Sequence, residues 1–158
     1  MQEPFEMVMV RSLQRIEAAM ERLARIVQSR GSSARRAERA GTTLLGSAQQ
    51  VLRASIDHVP ARISDLARAT SMSDAAVSRQ VTLLEGEGLV EREACAEDGR
   101  VARVRPTASG RAVGRRLRAA ADEIFQEHLV GWRADDLAKL AELMERLGDD
   151  LTGESVDK

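Results

Sequence analysis

Cysteine is nearly missing from the 158 residues: Cys95 stands alone. One thiol forms no internal disulfide and cannot build a thiolate cluster for zinc or iron–sulfur binding. Neither a disulfide-stapled secreted domain nor a structural metal site is therefore expected. Tyrosine is absent, and the only aromatics are Phe5, Phe125 and Trp132, too few for the stacking platform that holds single-stranded nucleic acid. Lysine occurs only at Lys139 and Lys158, against 22 arginines, as a GC-rich coding sequence would give. His58 and His128 are too isolated to argue for a metal site and read as structural residues. No stretch approaches the roughly 18 consecutive apolar residues of a membrane span. The N-terminus shows no basic flank leading into an apolar run, so neither membrane insertion nor a signal peptide is expected, and the expected compartment is the cytoplasm. There is no Ser/His/Asp or Cys/His order, no phosphate-binding glycine loop and no carboxylate cluster outside a solvated tail. An enzyme is not expected, and no cofactor is called for.

What is present is enough apolar residue, 43% of the chain, to fold one domain or two small ones sharing a core. The net charge of −1 conceals an asymmetry. Residues 1–61 carry 9 Arg and 6 acids, residues 62–118 carry 11 Arg and 8 acids, and residues 119–158 carry 4 basic and 11 acidic residues. A basic front and middle ahead of an acidic tail suits a nucleic-acid-binding centre, although solvated helix faces are charged as well.

Periodicity predicts a long first helix from about Phe5 to Ser29. Its apolar residues Met9, Leu13, Ile16, Met20, Leu23 and Val27 recur at the spacing of a helix–helix seam. Gly31-Ser32-Ser33 should end it. A second helical stretch, about Ala37 to Ile56, turns Leu44, Leu45, Ala48, Val51, Leu52 and Ile56 inward and stops before Pro60. Thr107 can cap a helix from Ala108 to about Leu129, with Val113, Leu117, Ala120, Ile124 and Phe125 inward. After Gly131-Trp132 comes a last helix with Asp135 and Asp136 in the first turn, where the dipole favours anions, and with a second seam at Leu137, Leu140, Met144, Leu147 and Leu151. A chain of this length has little central bulk for two such seams to cover. A homodimer built from the first and last helices is the expectation, dimerising through Met9, Leu13, Ile16 and Met20 and through the second seam.

Between the seams, residues 63–88 carry the function. Two short helices joined by a tight turn need a small residue at the crossing, a permissive residue in the turn and a buried aliphatic in the second helix. Ala67, Ser71 and Val77 supply these, with Leu66, Thr70 and Met72 at flanking inward positions. This is a helix-turn-helix pattern. Ser73 is a natural N-cap for the second helix. On a helical wheel Val77, Val81 and Leu84 share one side, and Ala75, Ser78, Arg79 and Thr82 cluster opposite. That opposite face is small, hydroxylic and cationic, suited to a major groove in which Arg can fork onto guanine O6 and N7. Residues 89–95 and 101–105 then read as two strands bracketing Ala96-Glu97-Asp98-Gly99-Arg100, where Asp-Gly is a hairpin signal. A hairpin directly after a recognition helix is a wing. Arg100 lies at its tip, and Arg103 and Arg105 share one strand face, placed for a narrow groove or for phosphates.

The ordered set Ile63-Ser64-Asp65-Leu66-Ala67, Val77-Ser78-Arg79, Leu84-Glu85, Gly88-Leu89-Val90-Glu91-Arg92, Asp98-Gly99-Arg100 and Thr107-Ala108-Ser109-Gly110 resembles the MarR (multiple antibiotic resistance regulator) family of winged-helix transcription factors. The resemblance covers nearly the whole chain. It implies a mainly α fold with a small β-hairpin wing, organised as an N-terminal dimerisation helix (1–36), a winged helix-turn-helix domain (37–107) and C-terminal dimerisation helices (108–158). It also implies a triangular homodimer on a pseudo-palindromic operator of double-stranded DNA, usually as a repressor and often released by a small-molecule effector. The DNA-binding residues expected are Ser73, Ala75, Ser78, Arg79, Thr82, Arg92, Asp98, Arg100 and Arg103, with Asp98 steadying the wing. Two departures stand out. Arg62 occupies a position where the family usually places a capping Ser or Thr, and the N-terminal helix lacks the reactive Cys of the family's peroxide sensors. The alternatives are a winged-helix-derived helical interaction module, which should have lost Arg79 and Arg100, and a redox-responsive regulator using Cys95, whose thiol lies near Arg92. Scarce aromatics point to no effector, or to one held mainly by aliphatics and arginines.

Overall fold

The computed structural model describes residues 3–94 and 102–153. The chain divides into two compact units, Met1–Ala121 and Asp122–Lys158. In the first, α1 (Glu3–Gln28) spans the stretch its periodicity predicts. The Gly31-Ser32-Ser33 run does not end it. Ser29 Oγ accepts from the Ser32 amide at 3.1 Å and caps a new helix, α2 (Arg30–Ala40), with the Gly-Ser-Ser run in its first turn. First-turn amides have no intrahelical partner, so residues that weaken a helix interior are tolerated there. α2 closes at Gly41 with φ 59°, where the Thr42 amide bonds the Ala37 carbonyl at 3.0 Å. That left-handed closure, and a second positive φ at Gly46, split the expected helix over 37–56. Its first four residues close α2, and its latter part is a separate helix, α3 (Ser47–Asp57). Within the break Leu44 is buried, while Leu45, expected inward, is 53% exposed because it no longer lies on a helix. A buried glutamine ties the break together. Gln49 Nε2 donates to the carbonyls of Ser33 (2.9 Å) and Leu44 (2.8 Å), and its Oε1 accepts from Arg36 Nε at 3.2 Å. Burial, and then the like charge of Arg53, push the Arg36 guanidinium below its ordinary value.

β1 (Ala61–Arg62) leads into α4 (Ile63–Thr70), α5 (Asp74–Gly86), β2 (Val90–Ala94), β3 (Ala102–Pro106) and α6 (Ala108–His128). The sheet is antiparallel in the order β1-β3-β2, with Arg62 opposite Arg103 and Arg92 opposite Val104. β1 has no counterpart in the sequence expectations; two residues are too few to show an alternation. The core is aliphatic, and Val51, Leu52, Leu66, Val77, Val81, Leu84 and Val104 are fully enclosed. At the rough rate of about 25 cal/mol per Å² of apolar surface, these side chains are the main source of the unit's stability.

Thr107 caps α6 as expected and does more. Its hydroxyl accepts from the Gly110 amide at 3.0 Å and donates to the Gly88 carbonyl at 2.8 Å, stitching the helix to the segment that follows α5. Gly110 lies against the Leu89 carbonyl so closely that a Cβ would overlap it, whereas a Cβ at Gly114 would meet only the tip of Ile56. Val113, Leu117 and Ala120 are buried as predicted. Arg116 Nε donates to the Ala40 carbonyl at 2.8 Å, satisfying the end of α2.

The second unit holds the end of α6 and α7 (Ala134–Thr152), none of whose residues is buried. Phe125, expected inward, is 57% exposed because it lies past the last core-facing turn of α6. His128 is also exposed, with Nδ1 2.7 Å from the Ile124 carbonyl. Among the described residues no helix is long and apolar enough to cross a membrane.

Candidate nucleic-acid interface

α4 ends on Ser71, whose φ of 53° is the only positive value of a non-glycine residue among those described. The Ser71 amide bonds the Arg68 carbonyl (3.3 Å) and the Met72 amide bonds the Ala67 carbonyl (3.0 Å). This is the left-handed closure that turns the chain sharply into α5. Ala67 is buried where the helices cross, and Val77 locks the second helix into the core. Arg62 leaves α4 without a side-chain acceptor at its N-cap, since a guanidinium has none. Asp65 makes up half the deficit by accepting from the Arg62 amide at 3.1 Å.

Ser73 caps α5, its Oγ accepting from the Ala76 amide at 3.2 Å. The helix is oriented as its wheel predicts. Val77, Val81 and Leu84 are fully buried, Ala75, Arg79 and Thr82 are exposed, and Ser78 is half-buried. The reading face is therefore available along about two turns.

Arg92 projects from β2 back onto α5. Its Nη2 donates to Thr82 Oγ1 at 3.0 Å, and its Nε lies 3.6 Å from Glu85 Oε2. Thr82 in turn donates to the Ser78 carbonyl at 3.0 Å. Two residues expected to face DNA independently are thus joined, and they bring in Glu85, to which the sequence assigned no role. The only signal for it was a carboxylate three residues past Thr82, within reach of a cation on the next strand. Arg103 is half-buried on β3 opposite Glu93. Its neighbour on that face, Arg105, has Nε 3.2 Å from Glu93 Oε1, out of line for a hydrogen bond. Asp98, Arg100 and Cys95 lie outside the described residues.

The dimerisation candidates are uncovered in each unit. On α1, Met9, Leu13, Ile16 and Met20 are 42–53% exposed. On α7, Leu140, Met144 and Leu151 are exposed, while Leu137 and Leu147 are half-buried. No group of three or more His, Cys, Asp or Glu among the described residues is placed to hold a metal ion.

The central segment, residues 44–101, matches the model of the MarR family. No curated protein matches the chain at comparable significance. Among solved structures, a probable transcriptional regulator from Pseudomonas aeruginosa is 30% identical, with 73% of this chain and 86% of that one covered and a TM-score of 0.59. The transcriptional regulator BldR from Sulfolobus solfataricus is 25% identical over 85% of this chain and 97% of its own, TM-score 0.62. BpsR from Bordetella bronchiseptica, whose DNA binding is regulated by 6-hydroxynicotinic acid, is 24% identical over 74% and 84%, TM-score 0.57. With its helix-turn-helix, its hairpin and its flanking helices in this order, the chain belongs to the MarR family of winged-helix transcriptional regulators.

Proposed function

We infer that this chain is a homodimeric repressor that binds a pseudo-palindromic operator in double-stranded DNA and is released from it by a small-molecule effector. The carrying observation is α5: three aliphatics fixed in the core behind it and Ala75, Ser78, Arg79 and Thr82 presented in front. Ser73 and Ser78 supply hydroxyls at the helix start, Ala75 leaves room for a thymine methyl, and Arg79 is the base-reading side chain. Arg92 and Arg103 on the hairpin stem meet phosphates, and on sequence grounds Asp98 and Arg100 extend the wing into the adjacent groove. Residues 37–107 are the DNA-binding domain, and residues 1–36 and 108–158 carry the dimer contacts. Apolar stripes left open on α1 and α7 support a second copy as their cover. The cytoplasm is the place of action.

An effector is supported by analogy with BpsR. With only Phe5, Phe125 and Trp132 as aromatics, it is a ligand for aliphatics and arginines.

Arg79→Ala tests the reading. Operator binding should fall by about 1–3 kcal/mol, with base preference relaxed at one position per half-site. Equal weakening on operator and unrelated DNA would make Arg79 a phosphate clamp, and undiminished binding would remove it from the interface.

A further inference from the structure

Glu85 is a misfit on two counts. It sits in the last turn of α5, the end of a helix that repels anions. Lying seven residues past Ser78, it is only about 20° from that residue on the wheel, so a carboxylate prolongs the face held to dock on a polyanion. Helix electrostatics and DNA both disfavour it there. What it does have is Arg92, 3.6 Å from Oε2, in a pair left 36% and 41% exposed. Arg92 is anchored separately by its Nη2 bond to Thr82. A guanidinium carries five N–H donors in a fixed fork. It can therefore keep the hydroxyl while its charge changes partner.

We propose that Glu85 and Arg92 form an exchange pair that limits how tightly this interface holds DNA. In the free protein Glu85 neutralises Arg92. On docking, a backbone phosphate takes the place of the carboxylate, and the bond to Thr82 holds the guanidinium in position throughout. Breaking the pair and bringing Glu85 beside phosphates lowers affinity for every duplex, which keeps the regulator releasable. The inference rests on the DNA-binding reading above.

The test titrates the full-length parent, Glu85→Gln, Arg92→Gln and the double variant on a duplex selected from a random pool and on a scrambled copy, across a salt series. Glu85→Gln should bind both duplexes about two- to fivefold tighter, the range open to partly exposed ion pairs. That gain should shrink in the Arg92→Gln background, where only the repulsion between Glu85 and the phosphates is left to relieve. Arg92→Gln alone should flatten the dependence of log affinity on log salt by about 0.9, one phosphate contact. Unchanged or weaker binding by Glu85→Gln, a gain that survives undiminished without Arg92, or an unaltered salt slope in Arg92→Gln would overturn the exchange. Should Arg92→Gln not fold, binding by Glu85→Gln no tighter than the parent's still overturns the exchange. A parent that binds neither duplex at low salt overturns the DNA-binding reading and this inference with it. A parent that binds, with Glu85→Gln no tighter, overturns the exchange only.

Discussion

Gly110 separates residues that pack from residues that recognise. Its missing side chain lets α6 approach the Leu89 carbonyl, and Thr107 beside it joins the helix start to Gly88. Because the obstacle at Gly110 is backbone, Gly110→Ala should destabilise by about 1–3 kcal/mol through overpacking. At Gly114 the obstacle is the flexible end of Ile56, so Gly114→Ala should fall below that range. Chemical denaturation of both variants measures the difference; equal midpoints would show that the approach at Gly110 can relax. At this scale much was legible. Ala67, Ser71 and Val77 occupy the crossing, turn and core positions that their sizes predicted. The Glu85–Arg92 pair was not legible, because it joins a helix to a strand through side-chain reach, which no periodicity encodes.

Among the elements, those with a long regular period were legible and those governed by single backbone angles were not. The run from Met9 to Val27 predicted α1, and the wheel of α5 predicted its buried face. The break between α2 and α3 depends on Gly41 and Gly46 adopting positive φ, a choice glycine permits but does not dictate. Gly31-Ser32-Ser33 misled because the same residues that end a helix suit its first turn. The wing is the element for which sequence and physical reasoning alone make the prediction. In the sequence Arg100 directly follows Asp98-Gly99, a pair that signals a hairpin turn, and a guanidinium favours the negative potential of a narrow A·T-rich minor groove. Arg100→Ala should weaken operator binding at least tenfold, about 1.4 kcal/mol, with dimerisation and melting temperature unchanged. Asp98→Ala should show a smaller loss. Titration on an operator and on a copy with its A·T flank changed to G·C checks this, and parental affinity of Arg100→Ala for both duplexes would mean an idle wing.

For the whole molecule, the proposed homodimer rests on the apolar stripes of α1 and α7. Single exposed apolar residues are ordinary, but contiguous stripes on two long helices mark interaction surfaces. Light scattering at micromolar concentration should give about 35 kDa, twice the 17.3 kDa chain; a stable folded monomer would contradict the homodimer. Leu140→Asp or Leu147→Asp should lower stability and DNA affinity together, since a lone half-site loses the effective concentration supplied by the second.

The central claim is that two copies of α5 read the two halves of one symmetric site. Selection of bound sequences from a random duplex pool measures this directly. The predicted result is an enriched inverted repeat with half-sites centred about one helical turn apart, roughly 34 Å. Recovery of sequences with no enrichment over the starting pool, or of a preferred site without inverted symmetry, would contradict it.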